Sequence, residues 1–240
     1  MALPSLDLPT YLIDLPVSKT PLKVRPYTTR EEKVLLLLKE STDESKTALN
    51  MCQIVDACSF DSKTQAKDLP FADMIWAFLK IRGYSVGEIS ELNYKCLNVV
   101  NDKVCSAPIS YQLDLNDIQV VNNSGIRDID LGSDVKLRLR YHTADDVLNN
   151  VDSQDEDIDI RLLYNMVDMI FTPSEVNSKE DVDYGEFKEW YLNIPLSKKT
   201  EIEAVLKSDM PTLKAEIVLT CPKCKNVSKL TLESVADFFP

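Results

Sequence analysis

Six cysteines punctuate the 240 residues, and their surroundings divide them into two kinds. Cys221 and Cys224 form Cys-Pro-Lys-Cys directly after the alternating stretch AEIVLT and before SKLTL, which reads as strand, knuckle, strand. Two intervening residues let both thiolates face one ion about 2.3 Å from each sulfur while backbone amides reach the sulfurs, the chemistry of a zinc ribbon. A closed zinc site takes four ligands, and Cys96 and Cys105, within ELNYKCLNVVNDKVCSAP, are the candidates for the second pair. Eight residues lie between them, so a wider loop is required, and Asn98, Asn101 and Asp102 supply its turn residues. Cys52 and Cys58 instead fall within a helical apolar pattern, where a free thiol behaves as a small hydrophobe. The expected cofactor is therefore a structural zinc on Cys96, Cys105, Cys221 and Cys224, with no open position for catalysis. Unmetallated thiols, a redox dithiol and a disulfide are the alternatives; no βαβ pattern precedes the motif, and a disulfide requires an oxidising compartment.

The elements that must position these residues point to an α+β fold. Residues 1–30 carry prolines at positions 4, 9, 16, 21 and 26 among apolar and β-branched residues, which breaks helix and favours an extended N-terminal arm of short edge strands. That arm either lies on its own chain or adds to a partner's sheet edge. A helical domain spans 31–88. Thr28 or Thr29 caps its first helix, Glu31 and Glu32 sit in the first turn, and Val34, Leu35, Leu37 and Leu38 form the buried stripe. A second helix runs over Asp43 to Cys58, and a third starts near Asp68 with Pro70 in its first turn and stops near Gly83. Period two takes over in residues 89–142, which together with 211–240 form an antiparallel β region carrying the split, zinc-ribbon-like four-cysteine knuckle. Residues 143–210 read as a helical insertion, with Ile160, Leu163, Val167 and Ile170 on one face. The acidic run through Asp152, Asp155, Glu156, Asp157 and Asp159 lacks the glycine and terminal glutamate of a calcium loop and reads as solvated.

Composition excludes several functions. The longest apolar run, Met74 to Leu79, falls far short of the roughly 20 residues of a membrane span, and MALPSLDLP lacks a basic region followed by an apolar one, as a secretory signal requires. A formal net charge of −12 disfavours binding to a phosphate backbone. Five glycines and one histidine leave little for phosphate loops, and histidine catalysis would have to use His142.

Three segments in order, LPSLDLPTYLIDLPVSK, RPYTTREEKVLLLLKES and DMPTLKAEIVLTCPKCKNVSKLTLESVADFFP, together with FADMIWAFLKIRGYSVGE and its cysteine hairpin, resemble the baseplate hub and hub-assembly proteins of T-even-like contractile-tailed phages. The resemblance covers most of the chain. It implies a non-enzymatic role in building the central hub, in the host bacterial cytoplasm during assembly or in the tail baseplate of the virion, with other phage baseplate hub proteins as partners and self-association left open. The family's cysteines carry over onto Cys96, Cys105, Cys221 and Cys224. Two departures stand out: the wide first spacing, and Lys225 where a glycine commonly follows the last cysteine.

For such a role the expected contact residues are the apolar chain ends, Leu6, Leu8, Tyr11, Ile13 and Leu15 in the arm and Phe238 and Phe239 at the finish; the alternative is that both ends cap their own domain. Two other functions compete. A zinc-ribbon nucleic-acid adaptor would set Lys136, Arg138 and Arg140, or Lys223, Lys225 and Lys229, against phosphates. A thiol-disulfide oxidoreductase would use Cys221 and Cys224.

Overall fold

The computed structural model describes residues 7–40, 44–61, 64–121, 128–151 and 157–238. The proline-punctuated arm forms a hairpin, β1 (Tyr11–Asp14) against β2 (Pro21–Val24), in which Pro16 falls in the turn and Pro21 opens the second strand, while Pro9 and Pro26 lie just outside the pair. Three helices follow: α1 (Glu32–Glu40), α2 (Glu44–Cys58) and α3 (Phe71–Val86). Pro70 stands immediately before α3 as its N-cap, and the helix runs past Gly83 to end at Gly87, whose φ of 104° suits a residue without Cβ. Val34 and Leu35 of α1 pack inward, while Leu37 is 49% exposed, so the buried stripe is narrower than its leucine run implies.

The β region opens with β3 (Ile89–Lys95), the two-residue strands β4 (Val99–Val100) and β5 (Lys103–Val104), β6 (Pro108–Asp114) and β7 (Gln119–Val121). Next come β8 (Asp128–Gly132), β9 (Val135–Leu139), α4 (Ala144–Val151) and α5 (Ile158–Met166). The helical reading of 143–210 then needs correction. Val167 and Ile170 belong to β10 (Val167–Phe171), which pairs antiparallel with β9 and with β11 (Val176–Ser178). A β-branched and aromatic stretch, VDMIF, finds an open strand beside it, and tertiary pairing overrides the helical period. After α6 (Tyr184–Leu192) and α7 (Leu196–Ser208), the chain ends in β12 (Thr212–Thr220), β13 (Val227–Leu232) and the short α8 (Val235–Phe238).

Among the described residues two large apolar cores form, beside a small cluster around the cysteines. The first gathers Ile13, Leu15, Leu22 and Val24 of the arm, the inward faces of α2 and α3, Leu92 and Leu113 of the β3–β6 hairpin, and Leu213, Ile217 and Leu219 of β12. The second joins Ile129, Leu137 and Leu139 to Leu163, Met166, Val167, Phe187 and Ile202. Residues 128–139 thus pack with the insertion and not with the remainder of the β region, in a four-stranded sheet ordered β11-β10-β9-β8.

One local device appears twice. After β2, Thr28 donates from its amide (2.6 Å) and hydroxyl (2.9 Å) to Glu31 Oε2, and Arg25 Nη2 donates to Glu31 Oε1 at 2.9 Å. After β9, Thr143 donates from its amide (2.8 Å) and hydroxyl (3.1 Å) to Asp146 Oδ2, and Arg140 grips the same carboxylate at 2.7 and 3.0 Å. Each copy is hairpin, Arg-x-x-Thr-x-x-acid, helix: an N-terminal cap whose buried acid is neutralised by an arginine from the preceding strand end. Burial works against the charged form of both acids, but the arginine and threonine bonds prevail, holding Glu31 down to about 2 and Asp146 below its ordinary value.

Candidate metal centre

The eight residues between Cys96 and Cys105 do not form an open loop. They fold into the miniature β4–β5 hairpin, turned by Asn101 and Asp102 with φ of 51° and 59°, which the short polar side chains of Asn and Asp tolerate. The Cys105 amide donates to Asn98 O at 2.8 Å, and the miniature hairpin thereby returns Cys105 to the end of the β3–β6 ladder where Cys96 stands. The wide spacing is in this way reduced to a compact pair.

Both cysteine pairs end in the same bulge. Cys96 accepts from the Ser106 amide at 3.0 Å and donates its own amide to Ala107 O at 2.9 Å; Cys221 accepts from the Lys225 amide at 3.0 Å and donates to Asn226 O at 2.9 Å. Ser106 and Lys225, each directly following the second cysteine of its pair, adopt φ of 50° and 60°, the bulge position that glycine usually fills. Lys225 therefore meets the backbone demand its position imposes, at a steric cost of about 1 kcal/mol.

The two hairpins bring the four sulfurs together. Cys96 Sγ lies 3.6 Å from Cys224 Sγ, Cys105 Sγ lies 3.8 Å from Cys221 Sγ, and all four fall within 4.8 Å of one another. A tetrahedron with metal–sulfur bonds of about 2.3 Å has edges of about 3.8 Å, so the spacing fits a four-coordinate ion. Cys221 and Cys96 are buried and the other two half-buried, which seals the cluster. The Cys224 amide donates to Cys221 Sγ at 3.5 Å and Asn98 Nδ2 donates to Cys224 Sγ at 3.6 Å, the outer contacts that fix ligating thiolates.

These donors act on the thiols. The Asn226 amide, then the Asn98 side chain, pull Cys224 down to about 6, and the Cys224 amide lowers Cys221. Cys96 moves the other way, up to about 12: the Asn98 amide opposes the rise, but burial and the three neighbouring sulfurs outweigh it. Cys52 and Cys58 stand apart in the first core, pushed by burial up to about 12 and about 11, as thiols held for packing are.

The remaining candidate residues are placed differently. Ile13 (3% exposed), Leu15 (2%) and Phe238 (0%) lie inside the first core, a correction to their reading as contact residues: β1 alternation sends Ile13 inward, and Ser90 Oγ donates to Phe238 O at 2.9 Å as α8 folds back on β3. Tyr11 stacks on Tyr84 with ring centroids 4.0 Å apart, and Leu8 is exposed. Leu6 and Phe239 fall outside the described residues, as do Asp152, Asp155 and Glu156. The basic row on β9 is largely engaged: Arg138 forms a two-point pair with Asp128 at 2.7 and 3.0 Å, and Arg140 pairs with Asp146, leaving Lys136 exposed beside them. Lys223, Lys225 and Lys229 are exposed around the knuckle. His142 packs against Phe71, and burial lowers its pKa.

Two positions with clear roles had only weak signals in the sequence. Asp73 is fully buried in α3 and accepts from the Val17 and Ser18 amides, both at 2.8 Å, clamping the arm's turn to the helix. Its sole hint was an acid on the helix's apolar face. Asn98, read as a turn former, also reaches a sulfur.

Fold and site together define an α+β protein whose two distant hairpins meet in a sealed tetracysteine cluster. Over residues 8–240 the chain matches the family model described as T4 bacteriophage base plate protein, and it belongs to that family. No curated protein and no solved structure matches it. Among the described residues, no helix is long and apolar enough to cross a membrane.

Proposed function

We propose that this chain is a non-enzymatic building protein of the baseplate hub, either a hub subunit or a hub assembly factor, acting through protein contacts and stapled by a structural zinc. The family match over nearly the whole chain carries the baseplate role. Zinc is supported by the sulfur spacing, by the paired bulges and by the choice of four thiolates, soft ligands in a sealed shell that leaves no position for substrate. Bound there, the ion would hold 96, 105, 221 and 224 as thiolates and join the β3–β6 and β12–β13 hairpins, contributing on the order of 10 kcal/mol to folding. Partner contacts fall to the exposed apolar residues of the arm, Leu8 and Leu12, the latter 64% exposed.

The test is depletion of the protein in infected host cells, with tail structures counted by electron microscopy and purified virions probed for the chain. Absence of complete baseplates supports the role, and presence or absence in virions separates subunit from assembly factor. Normal tails without the protein contradict it.

A further inference from the structure

The cysteine knuckle lies at one end of a sheet that stops abruptly. Among the described residues β13 pairs with β12 alone, in a sheet ordered β13-β12-β7. The Cys221 amide bond to Asn226 O sets the ladder's phase, so hydrogen-bonded pairs fall at Leu219/Ser228, Ile217/Leu230 and Ala215/Leu232. Val227, Lys229 and Thr231 occupy the alternate positions and direct their amides and carbonyls away from β12; all three residues are exposed. Their side chains share a face with Val218 of β12, and Val218 (51%) and Val227 (60%) leave that face partly apolar. The edge is also basic, in a chain of formal net charge −12: Lys229 lies in the strand opposite Val218, Lys223 and Lys225 lead into it, and Glu216, already paired with Lys214 at 3.0 Å, stands opposite Thr231, diagonal to Lys229.

We propose that the open edge of β13 receives an extended acidic segment of another baseplate protein, which adds as a strand beside Val227–Leu232. Main-chain groups of Val227, Lys229 and Thr231 supply the pairing, Val227 and Val218 meet the apolar side chains, and Lys223, Lys225 and Lys229 meet the acids. A lysine within an edge strand opposes pairing with another copy of the same strand, so charge selects an acidic partner over a second copy. The sealed cysteine cluster makes the edge rigid in advance, which lowers the ordering cost of docking. This assignment rests on the protein-contact reading above.

The test uses the tagged full chain co-expressed with the other baseplate proteins of its phage. Amide exchange is measured on the isolated chain and on the purified complex, alongside Lys229→Pro, Lys229→Ala and Lys229→Glu. Proline at an outward-facing amide removes no bond of the existing ladder. Slowed exchange at Val227, Lys229 and Thr231 in the complex is expected, with binding weakened at least tenfold by Lys229→Pro and Lys229→Glu and less by Lys229→Ala. Exchange that is unchanged at the three amides of the parent chain overturns the proposal even if the proline variant fails to fold. A dimer protecting these amides without any partner assigns the edge to a second copy and also overturns it. If baseplate proteins co-purify while the amides stay unprotected, the edge assignment fails and the functional reading stands; if none co-purifies, both fail.

Discussion

Glu31→Gln is the perturbation whose size the structure sets most directly. The carboxylate has a side chain only 5% exposed, is paired with Arg25 at 2.9 Å and takes the Thr28 amide and hydroxyl, so its pKa falls from the ordinary 4.5 to about 2. That difference corresponds to about 3 kcal/mol of folding stability at neutral pH. Because the folded value lies below the unfolded one, the contribution is complete above about pH 4.5 and is lost as pH falls through about 2. Near pH 3 about 1.4 kcal/mol should survive. Urea unfolding of the parent chain and of Glu31→Gln at both pH values isolates the effect, since the other carboxylates cancel in the difference. The variant should be less stable by about 3 kcal/mol at pH 7, with the gap at least halved at pH 3. A gap under about 0.5 kcal/mol at pH 7, or one that does not change with pH, would refute the reading of this cap as a neutralised, buried acid.

Asp73→Asn should cost about 2 kcal/mol, because each carboxylate oxygen of this buried residue accepts one amide and the one replaced by NH2 becomes a donor facing a donor, and trypsin should then cut faster at Lys19 and Lys23; unchanged cleavage would show that the clamp does not hold the arm. Cys221→Ser or Cys224→Ser should lower stability by about 4 kcal/mol or more in zinc-containing buffer, as loss of a metal site does, and equal melting of variant and parent would contradict a shared site. Lys225→Gly should raise stability by up to about 1 kcal/mol by relieving the left-handed backbone at φ 60°, and a lower melting temperature would show that the lysine side chain offsets that strain.

Much of this architecture was legible in the residues. Proline spacing announced the arm's extended geometry, and the Cys-x-x-Cys between two alternating stretches announced the β12–β13 knuckle, because both signals are local. The pairing of Cys96 and Cys105 with that knuckle rested on ligand count, and its means, a miniature hairpin around Asn101 and Asp102, required the fold to be seen. Strand β10 was missed because Val167 and Ile170 continue the apolar spacing of Ile160 and Leu163, while what makes them a strand is the open edge of β9. Residue type could not place Ile13, Leu15 and Phe238: apolar residues near chain ends serve a partner or the chain's own core equally well by type, and only packing puts these three in the core. The repeated Arg-x-x-Thr-x-x-acid cap was present in the sequence as two matching spacings, but its meaning depends on an arginine and an acid meeting across a strand–helix junction.

The most direct measurement is native mass spectrometry of the tagged chain isolated from infected cells, repeated after exhaustive dialysis against a chelator. One zinc per chain, bound alongside other baseplate proteins and lost together with folding cooperativity on chelation, is the predicted result. A metal-free chain that is equally stable with and without chelator and carries no baseplate partner would contradict a zinc-stapled baseplate protein.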